Sequence, residues 1–231
     1  YRKLGDWQAG HYIPSSQSPG SVPTMPRSEP ATSSSGAANH LAFAPAIRIG
    51  DRYTYETVDS DDSKQNNITH REIIAFSGGH YLQRNINAKS GYTRLLHYDP
   101  SWNLVSTGRP SEVETTFVPP LKYFDFPLFV GKTWEGRSVK TDLKTGATFT
   151  HSLHAVVTGK EKVSVPAGTF ETYKIVLDIE MLEGSKRTLG KDISWYAPAA
   201  RRTVRSETES RDPETSKLDR KIIQLLSFEL K

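Results

Sequence analysis

Seven histidines are the first candidates for chemistry in this sequence, because imidazole binds metal ions and transfers protons near neutral pH. His151 and His154 are three residues apart, and on a strand that spacing places them on opposite faces, so they cannot share one ion. His70, His80 and His97 lie in or beside neighbouring predicted hairpins and could converge, but nothing in the sequence fixes their register. Surface or turn positions are the favoured interpretation, and we predict neither a metal site nor a cofactor.

The acidic stretch "DSDDSKQNN" (59–67) begins like a calcium-binding loop, with carboxylates at Asp59 and Asp61. Lys64 occupies the sixth place, where a glycine is required, and His70 occupies the twelfth, where an acidic ligand is required. These two departures exclude an EF-hand. A solvated hairpin tip is the favoured interpretation, and a looser surface calcium site is the alternative.

Nucleophilic catalysis has little support in the sequence. It contains no GxSxG, no HExxH and no phosphate-binding glycine loop. It also has no cysteine, which removes thiolate catalysis, disulfides and Cys-ligated zinc. A Ser-His-Asp set could assemble from distant strands, but the sequence selects none. We therefore expect a protein that is not an enzyme.

Aromatic residues are concentrated in the middle third of the chain, around "VPPLKYFDFPLFVGKTW" (118–134). Pro119, Pro120 and Pro127 prevent most of this run from forming a regular central strand. A proline-stiffened loop over the mouth of a sheet would cap the core or line an apolar pocket. The candidate ligand-binding residues are Trp102, Phe117, Tyr123, Phe124, Phe126, Phe129 and Trp134.

The elements that must position these side chains are antiparallel strands. From Ile47 onward, short runs of alternating apolar and polar residues are separated by Gly, Asn, Asp and Pro. Trp102 to Ser106 is one such predicted strand, and each strand follows its predecessor after a connection too short for a parallel crossover. The pattern predicts an all-β fold, an antiparallel meander forming a strongly curved sheet or an open barrel.

"KVSVPAGTFETYKIVLDIE" (162–180) shows the pattern most clearly. Tyr173, Ile175 and Leu177 share one face of the second strand, and Asp178 lies on the other. Pro166 and its neighbours suit a tight turn. The turn at 166–169 is therefore interpreted as the bend of a hairpin, and no ligand-binding role is needed to explain it.

Residues 1–46 form a separate region, an N-terminal arm or linker preceding the antiparallel domain 47–231. Between 13 and 46 the chain is rich in Ser, Pro, Gly and Ala and shows neither helical nor strand periodicity. Such a segment cannot offset its own ordering entropy, so we expect a flexible arm that becomes ordered on the body of the same chain, on a protein partner or on another copy of the chain. The alternative is a tether without a binding role. The candidate partner-binding residues are Trp7, Tyr12, Ile13, Leu41 and Phe43.

Charge and hydropathy argue against two further classes of partner. The formal net charge is +4, but the basic residues are interleaved with acidic ones, as in 201–221, so we predict no nucleic-acid binding. No apolar run is long enough for a transmembrane helix. The chain starts at Tyr1 rather than Met, which we interpret as removal of a leader during export.

Four segments carry a resemblance to a known family. They are "GDRYTYE" (50–56), "FPLFVGKTWEG" (126–136), "VSVPAGTFETYKI" (163–175) and "ISWYAPAARRTVRSE" (193–207). In order and spacing, residues 48–230 resemble an uncharacterised family of exported bacterial proteins with a domain of unknown function, sometimes labelled TapB-like. In that family the fourth segment reads WYAPGVG, so Ala199 and Arg201 replace two glycines. The resemblance implies a periplasmic, outer-envelope or secreted location and an antiparallel fold, and it transfers no catalytic residues.

Three functions follow as hypotheses. The first is a noncatalytic extracytoplasmic binding or structural subunit whose arm contacts a partner. The second is a periplasmic carrier that holds a lipid or other apolar ligand in the concave face of the sheet, and it requires an apolar cavity. The third is a hydrolase whose site is not visible in the sequence, and it requires a polar cluster with perturbed ionisation in a cleft.

Overall fold

The computed structural model describes residues 41–59, 66–211 and 218–231, all of which belong to the second of two compact units, residues 38–231. Twelve antiparallel strands are paired in chain order, and the first also pairs with the last, so the sheet closes into a barrel. The all-β antiparallel meander is confirmed, and full closure removes every unpaired edge of the sheet. The strands are β1 (Arg52–Asp59), β2 (Asn67–Ser77), β3 (His80–Asn87), β4 (Thr93–Tyr98), β5 (Leu104–Arg109), β6 (Glu112–Leu121), β7 (Thr133–Asp142), β8 (Thr148–Val165), β9 (Gly168–Glu183), β10 (Lys186–Ala197), β11 (Arg202–Arg211) and β12 (Leu218–Glu229).

The β8–β9 hairpin has the geometry that its alternation predicts. Tyr173, Ile175 and Leu177 are buried, whereas Asp178 is exposed. The strands are joined at Pro166 and Ala167, and Gly168 has a φ of 133°, a conformation that side chains rarely adopt. The backbone N–H of Ala167 donates to the carbonyl of Leu225 at 3.1 Å. The corner is therefore a structural turn that attaches the hairpin tip to β12.

The start of β5 differs from the predicted strand Trp102 to Ser106. Trp102 has a φ of 66° and precedes the strand, which begins at Leu104. Asp99 organises this turn, because its carbonyl accepts from the Trp102 N–H at 2.9 Å and its side chain accepts from the Asn103 N–H at 2.8 Å. The left-handed residue aims the indole at Tyr98, whose ring centroid is 4.2 Å away. The sequence pattern missed this because Asx turns compete with strand formation.

Two apolar clusters fill the described fold. The larger one is centred on β8, β9 and the aromatic segment between β6 and β7, and it includes Leu128, Val157 and Ile175, all fully buried. The smaller one joins the hairpin tip to β1, β10, β11 and β12 through residues such as Phe170 and Leu225. No helix in the described ranges is long and apolar enough to cross a membrane.

Part of the predicted arm is visible at its C-terminal end. Ala42 is buried and forms a two-way backbone bridge with Leu128, with N···O distances of 2.9 and 2.7 Å. Leu41 and Phe43 flank it and are 46% and 68% exposed. The other predicted partner-binding residues, Trp7, Tyr12 and Ile13, lie outside the described residues.

Candidate functional site

A cavity of about 200 Å³ lies against the inner face of the barrel. Strands β1–β5 and β9–β12 contribute to its wall, together with the segment that follows β6. Its lining is mainly apolar but includes three arginines, Arg71, Arg202 and Arg205, and one carboxylate, Asp192. The aromatic members of the lining are Tyr55, Tyr98, Trp102, Tyr123, Phe124 and Tyr196.

The two-residue period of the strands explains how β10 contributes polar groups to this wall. Asp192, Ser194 and Tyr196 alternate along β10, and all three line the cavity. Asp192 lies opposite Leu177 of β9, which lines the cavity as well. The Asp192 carboxyl group therefore lies on the inward face of β10, the face that also carries buried Tyr196.

Arg202 is the most deeply buried charged group of the site, with 6% of its surface exposed. Its guanidinium carbon is 3.4 Å from the ring centroid of Trp102 and 4.7 Å from that of Tyr53, and one N–H donates to Gln83 Oε1 at 2.8 Å. Burial lowers the pKa of Arg202. No carboxylate in the described ranges comes within 4.0 Å of this guanidinium. Its neighbours are the aromatic rings, the Gln83 amide and the Tyr53 phenol, which partly counteracts the effect of burial on its pKa.

Arg71 of β2 is held in a similar way. Its guanidinium carbon lies 4.1 Å from the ring centroid of Tyr55. Its Nε is buried and has no hydrogen-bond acceptor among the residues that the structure describes. A buried donor without an acceptor costs about 1–3 kcal/mol, so an acceptor placed beside this N–H would stabilise the fold.

Asp192 is the one carboxyl group in the lining of the cavity among the described residues. Its Oδ1 is buried without a hydrogen-bond partner in the described part of the chain. Burial raises the pKa of Asp192 to about 7, because the charged form is poorly solvated there. Burial also raises the pKa of Tyr123, and the nearby Asp192 charge adds to that rise. Near neutral pH the carboxyl group is therefore partly protonated and can donate a hydrogen bond.

This arrangement is suited to binding a small molecule. The aromatic rings provide apolar walls, and the orphaned polar atoms of Arg71 and Asp192 provide positions for specific hydrogen bonds. Asp192 is the kind of perturbed group that a hydrolase needs. Within the described ranges, however, its Oδ1 has no hydroxyl or imidazole as a hydrogen-bond partner.

The predicted ligand-binding aromatics are distributed between the cavity and the core. Trp102, Tyr123 and Phe124 line the cavity. Phe126 stacks on Phe124 with centroids 5.4 Å apart. The remaining three predicted residues do not line the cavity. Phe117 and Trp134 are buried in the larger apolar cluster, and Phe129 is half-buried.

Arg71, Arg202 and Asp192 were not among the residues predicted from the sequence. The signal that could have found two of them is a charge at an apolar position of an alternating strand. Arg71 shares a face with buried Ile73, and Asp192 shares one with buried Tyr196. Arg202 gave a weaker signal, because a register shift between β10 and β11 interrupts the alternation beside it.

The "GD" and "WYAP" segments of the family pattern meet at a buried carboxylate. Asp51 is fully buried and accepts hydrogen bonds from the backbone N–H of Arg48 at 2.9 Å and of Lys231 at 2.8 Å. The Arg201 guanidinium lies 3.2 Å from the same carboxylate. Arg201 has a φ of 56°, so a left-handed residue stands where the family has a glycine, and its side chain adds an ion pair. Both segments therefore have a structural role.

The "GKTW" segment fixes the aromatic loop. Lys132 Nζ lies 3.0 Å from the Asp125 carboxylate and 3.1 Å from the carbonyl oxygen of Pro127. Trp134 Nε1 donates to the carbonyl of Lys122 at 3.1 Å. These contacts hold the loop that supplies Tyr123 and Phe124 to the cavity wall.

The histidines do not form a metal site in the described residues, where no three His, Asp or Glu side chains are grouped for one ion. His70 Nδ1 is 3.2 Å from Thr54 Oγ1, and His97 Nδ1 is 2.8 Å from Ser106 Oγ. Burial lowers the pKa of His97, and the charge of His80 lowers it further. These histidines are explained by local hydrogen bonds.

By fold and site, the described part of the molecule is a closed twelve-stranded antiparallel barrel with a small aromatic cavity, whose lining includes Arg71, Arg202 and Asp192. A family model described as DUF3108-like matches residues 146–215, from the turn before β8 through β11. This match supports the resemblance to an uncharacterised domain-of-unknown-function family. The sequence matches no curated protein.

Two solved structures are similar in fold. One, from Bacteroides fragilis, is described as an exported protein with a YmcC-like fold; it is 16% identical, with a TM-score of 0.53, and the alignment covers 81% of this chain and 99% of that chain. The other, from Parabacteroides distasonis, is described as a lipoprotein; it is 16% identical, with a TM-score of 0.50, covering 82% of this chain and 100% of that chain. Neither description assigns an activity.

Proposed function

We propose that this chain is a noncatalytic extracytoplasmic protein that binds a small apolar or aromatic ligand in the cavity of its barrel. The observation that carries the proposal is the combination of aromatic walls with orphaned polar atoms on Arg71 and Asp192. Buried polar groups without partners are rare in folded proteins. A ligand that supplies the missing hydrogen bonds accounts for them.

The size of the cavity limits the ligand. A cavity of 150 Å³ holds one benzene ring, and drug-sized ligands occupy about 300–1,000 Å³. A volume of about 200 Å³ therefore suits a single ring or a short chain with one substituent. A ligand with a single ring or a short chain therefore fits this cavity, whereas a complete lipid is too large.

The extracytoplasmic location is supported by the fold relatives, one described as exported and one as a lipoprotein. The noncatalytic role is supported by the isolation of Asp192, the one strongly perturbed carboxyl group that lines the cavity among the described residues. A proton donor without an adjacent nucleophile binds a ligand more readily than it activates one.

A second role, contact with a protein partner or self-assembly through the 1–46 arm, is favoured by Leu41 and Phe43. These two exposed apolar side chains flank the anchored Ala42. A double L41S/F43S variant tests this role by sedimentation velocity of the full chain, alone and in an extract of its source. An unchanged sedimentation coefficient in both settings would remove the second role.

The binding function is tested in two ways. Native mass spectrometry after gentle extraction from the source should show a bound small molecule. In addition, titration of the 15N-labelled chain with 2-phenylacetamide should shift the signals of residues around the cavity. Ser194 is buried in the cavity wall, and Ser194→Phe should fill the space and abolish these shifts.

The matched control is Ser227→Phe on β12, where the residue is exposed; this variant should titrate like the unaltered chain. Circular dichroism confirms that both variants are folded. A clean apo mass together with the absence of saturable shifts would reject the binding function.

A further inference from the structure

We infer that the ligand is a small organic anion, a carboxylate on an aromatic or short aliphatic body, whose charged group binds between Arg71 and Arg202. This inference rests on the proposed function and adds the chemical class of the ligand. Its basis is the distribution of charge in the cavity. Arg71 and Arg202 have no carboxylate within 4.0 Å among the residues that the structure describes.

The positive charges of Arg71 and Arg202 lie near the same part of the cavity wall. Burial raises the pKa of Tyr55 and of Tyr98, and the charges of Arg71 and Arg202 each counteract that rise at both phenols. The contacts agree, because the Arg71 guanidinium lies 4.1 Å from the Tyr55 ring centroid, and the Arg202 guanidinium lies 3.4 Å from the Trp102 ring. The Trp102 ring in turn stacks on Tyr98 with centroids 4.2 Å apart. An anion placed beside these rings is within the field of both positive charges.

The third arginine in the lining is already neutralised. Arg205 Nε and Nη2 lie 3.1 and 2.7 Å from the same carboxylate oxygen of Glu207. In the part of the chain that the structure describes, Arg205 thus has a carboxylate partner, whereas Arg71 and Arg202 have none. A buried positive charge without a counterion is costly, and a bound anion would remove that cost.

Carboxylate chemistry fits the donors that are available. A guanidinium offers parallel N–H groups that match the two oxygens of a carboxylate, and such charge-assisted bonds are short and strong. Arg71 Nε is buried and has no acceptor among the described residues, so this N–H is available to bond a carboxylate oxygen. A protonated Asp192 is neutral and does not repel an anion. Because burial raises its pKa to about 7, much of this group is protonated at neutral pH and most of it below.

The test compares three probes of nearly equal size: phenylacetate, neutral 2-phenylacetamide and cationic 2-phenylethylamine. Each is titrated into the 15N-labelled full chain at about pH 6, where most of the Asp192 carboxyl group is protonated. We expect phenylacetate to bind at least tenfold more tightly than the amide, and the amine to bind more weakly still. Phenylacetate should also shift the Arg71 and Arg202 Nε–H signals.

Arginine variants identify the residues responsible. Arg71→Met and Arg202→Met should each reduce phenylacetate affinity at least tenfold and leave amide affinity within threefold. The control is Arg52→Met on β1, since the Arg52 side chain is 59% exposed and paired with Glu72; it should change neither affinity. If Arg202→Met fails to fold, the less buried Arg71 still tests the site.

The outcomes separate this inference from the function on which it rests. Equal affinity for phenylacetate and 2-phenylacetamide, or a preference for the amine, would overturn the inference that the ligand is an anion. The proposed binding function of the cavity would still stand. If no probe binds, the mass of the native ligand decides: an anionic ligand supports the inference, and a neutral or cationic one overturns it. A clean apo mass with no probe bound overturns both.

Discussion

Replacing Asp192 by asparagine should stabilise the barrel at alkaline pH and leave its stability nearly unchanged at acidic pH. The asparagine side chain has almost the same shape as aspartate but carries no charge. At Asp192 the charge is the unfavourable component, because Oδ1 is buried without a hydrogen-bond partner among the described residues. The variant therefore removes a cost that the native protein bears only when this group is ionised.

The magnitude follows from the pKa. The folded-state pKa of Asp192 is raised from 3.8 to about 7, which at about 1.4 kcal/mol per unit corresponds to roughly 4 kcal/mol. Between these two pH values the folded chain keeps a proton that the unfolded chain has released. The contribution of Asp192 to stability is therefore most favourable below about pH 4, falls as pH rises towards 7, and then levels off. Asp192→Asn should abolish this part of the decline.

The assay is urea unfolding followed by tryptophan fluorescence at about pH 4, 6, 7, 8 and 9 for both proteins. We expect the difference in free energy of unfolding to be near zero at pH 4 and to approach about 4 kcal/mol above pH 8. Exposed Asp178 on β9 provides the control, and Asp178→Asn should change stability by less than about 0.5 kcal/mol throughout. A pH-independent difference for Asp192→Asn would refute the assignment of an unpaired buried carboxyl.

Two further predictions concern the contacts that close the fold. Asp51→Asn should lower the free energy of unfolding by about 3–5 kcal/mol, because it leaves the Arg201 cation without its buried partner; a loss below 1 kcal/mol in urea unfolding would contradict this role. Lys132→Met should lower it by about 1–3 kcal/mol, because the Asp125 ion pair and the bond to the Pro127 carbonyl are lost. The same variant should speed amide hydrogen exchange at Phe124, and unchanged exchange there would show that Lys132 does not hold the aromatic loop.

The sequence was most informative where local periodicity and turn chemistry agree. The β8–β9 hairpin was predicted because Tyr173, Ile175 and Leu177 alternate with polar residues on either side of a proline–glycine corner. Closure of the barrel was left open, since it depends on strand number and stagger summed around the whole sheet. No single segment carries that information.

The candidate site was predicted only in part, for a physical reason. Trp102, Tyr123 and Phe124 drew attention because large aromatic residues have few uses other than burial or binding. Asp192 could have been found as a charge on the apolar face of an alternating strand, but Arg202 resembles an ordinary surface residue in sequence. The burial of Arg202 becomes visible only when β10 and β11 are paired in register, because neighbouring strands decide which face is enclosed.

The pairing of β1 with β12 has a consequence for biosynthesis. The first and last strands of the barrel form one seam, so the ring cannot close until translation has delivered β12. Before that point a nascent chain has two unpaired edge strands, β1 and the most recently formed strand. Unpaired edge strands can form hydrogen bonds with other chains and so promote aggregation. A truncation before Leu218 would make that vulnerable intermediate permanent, and we expect such products to aggregate.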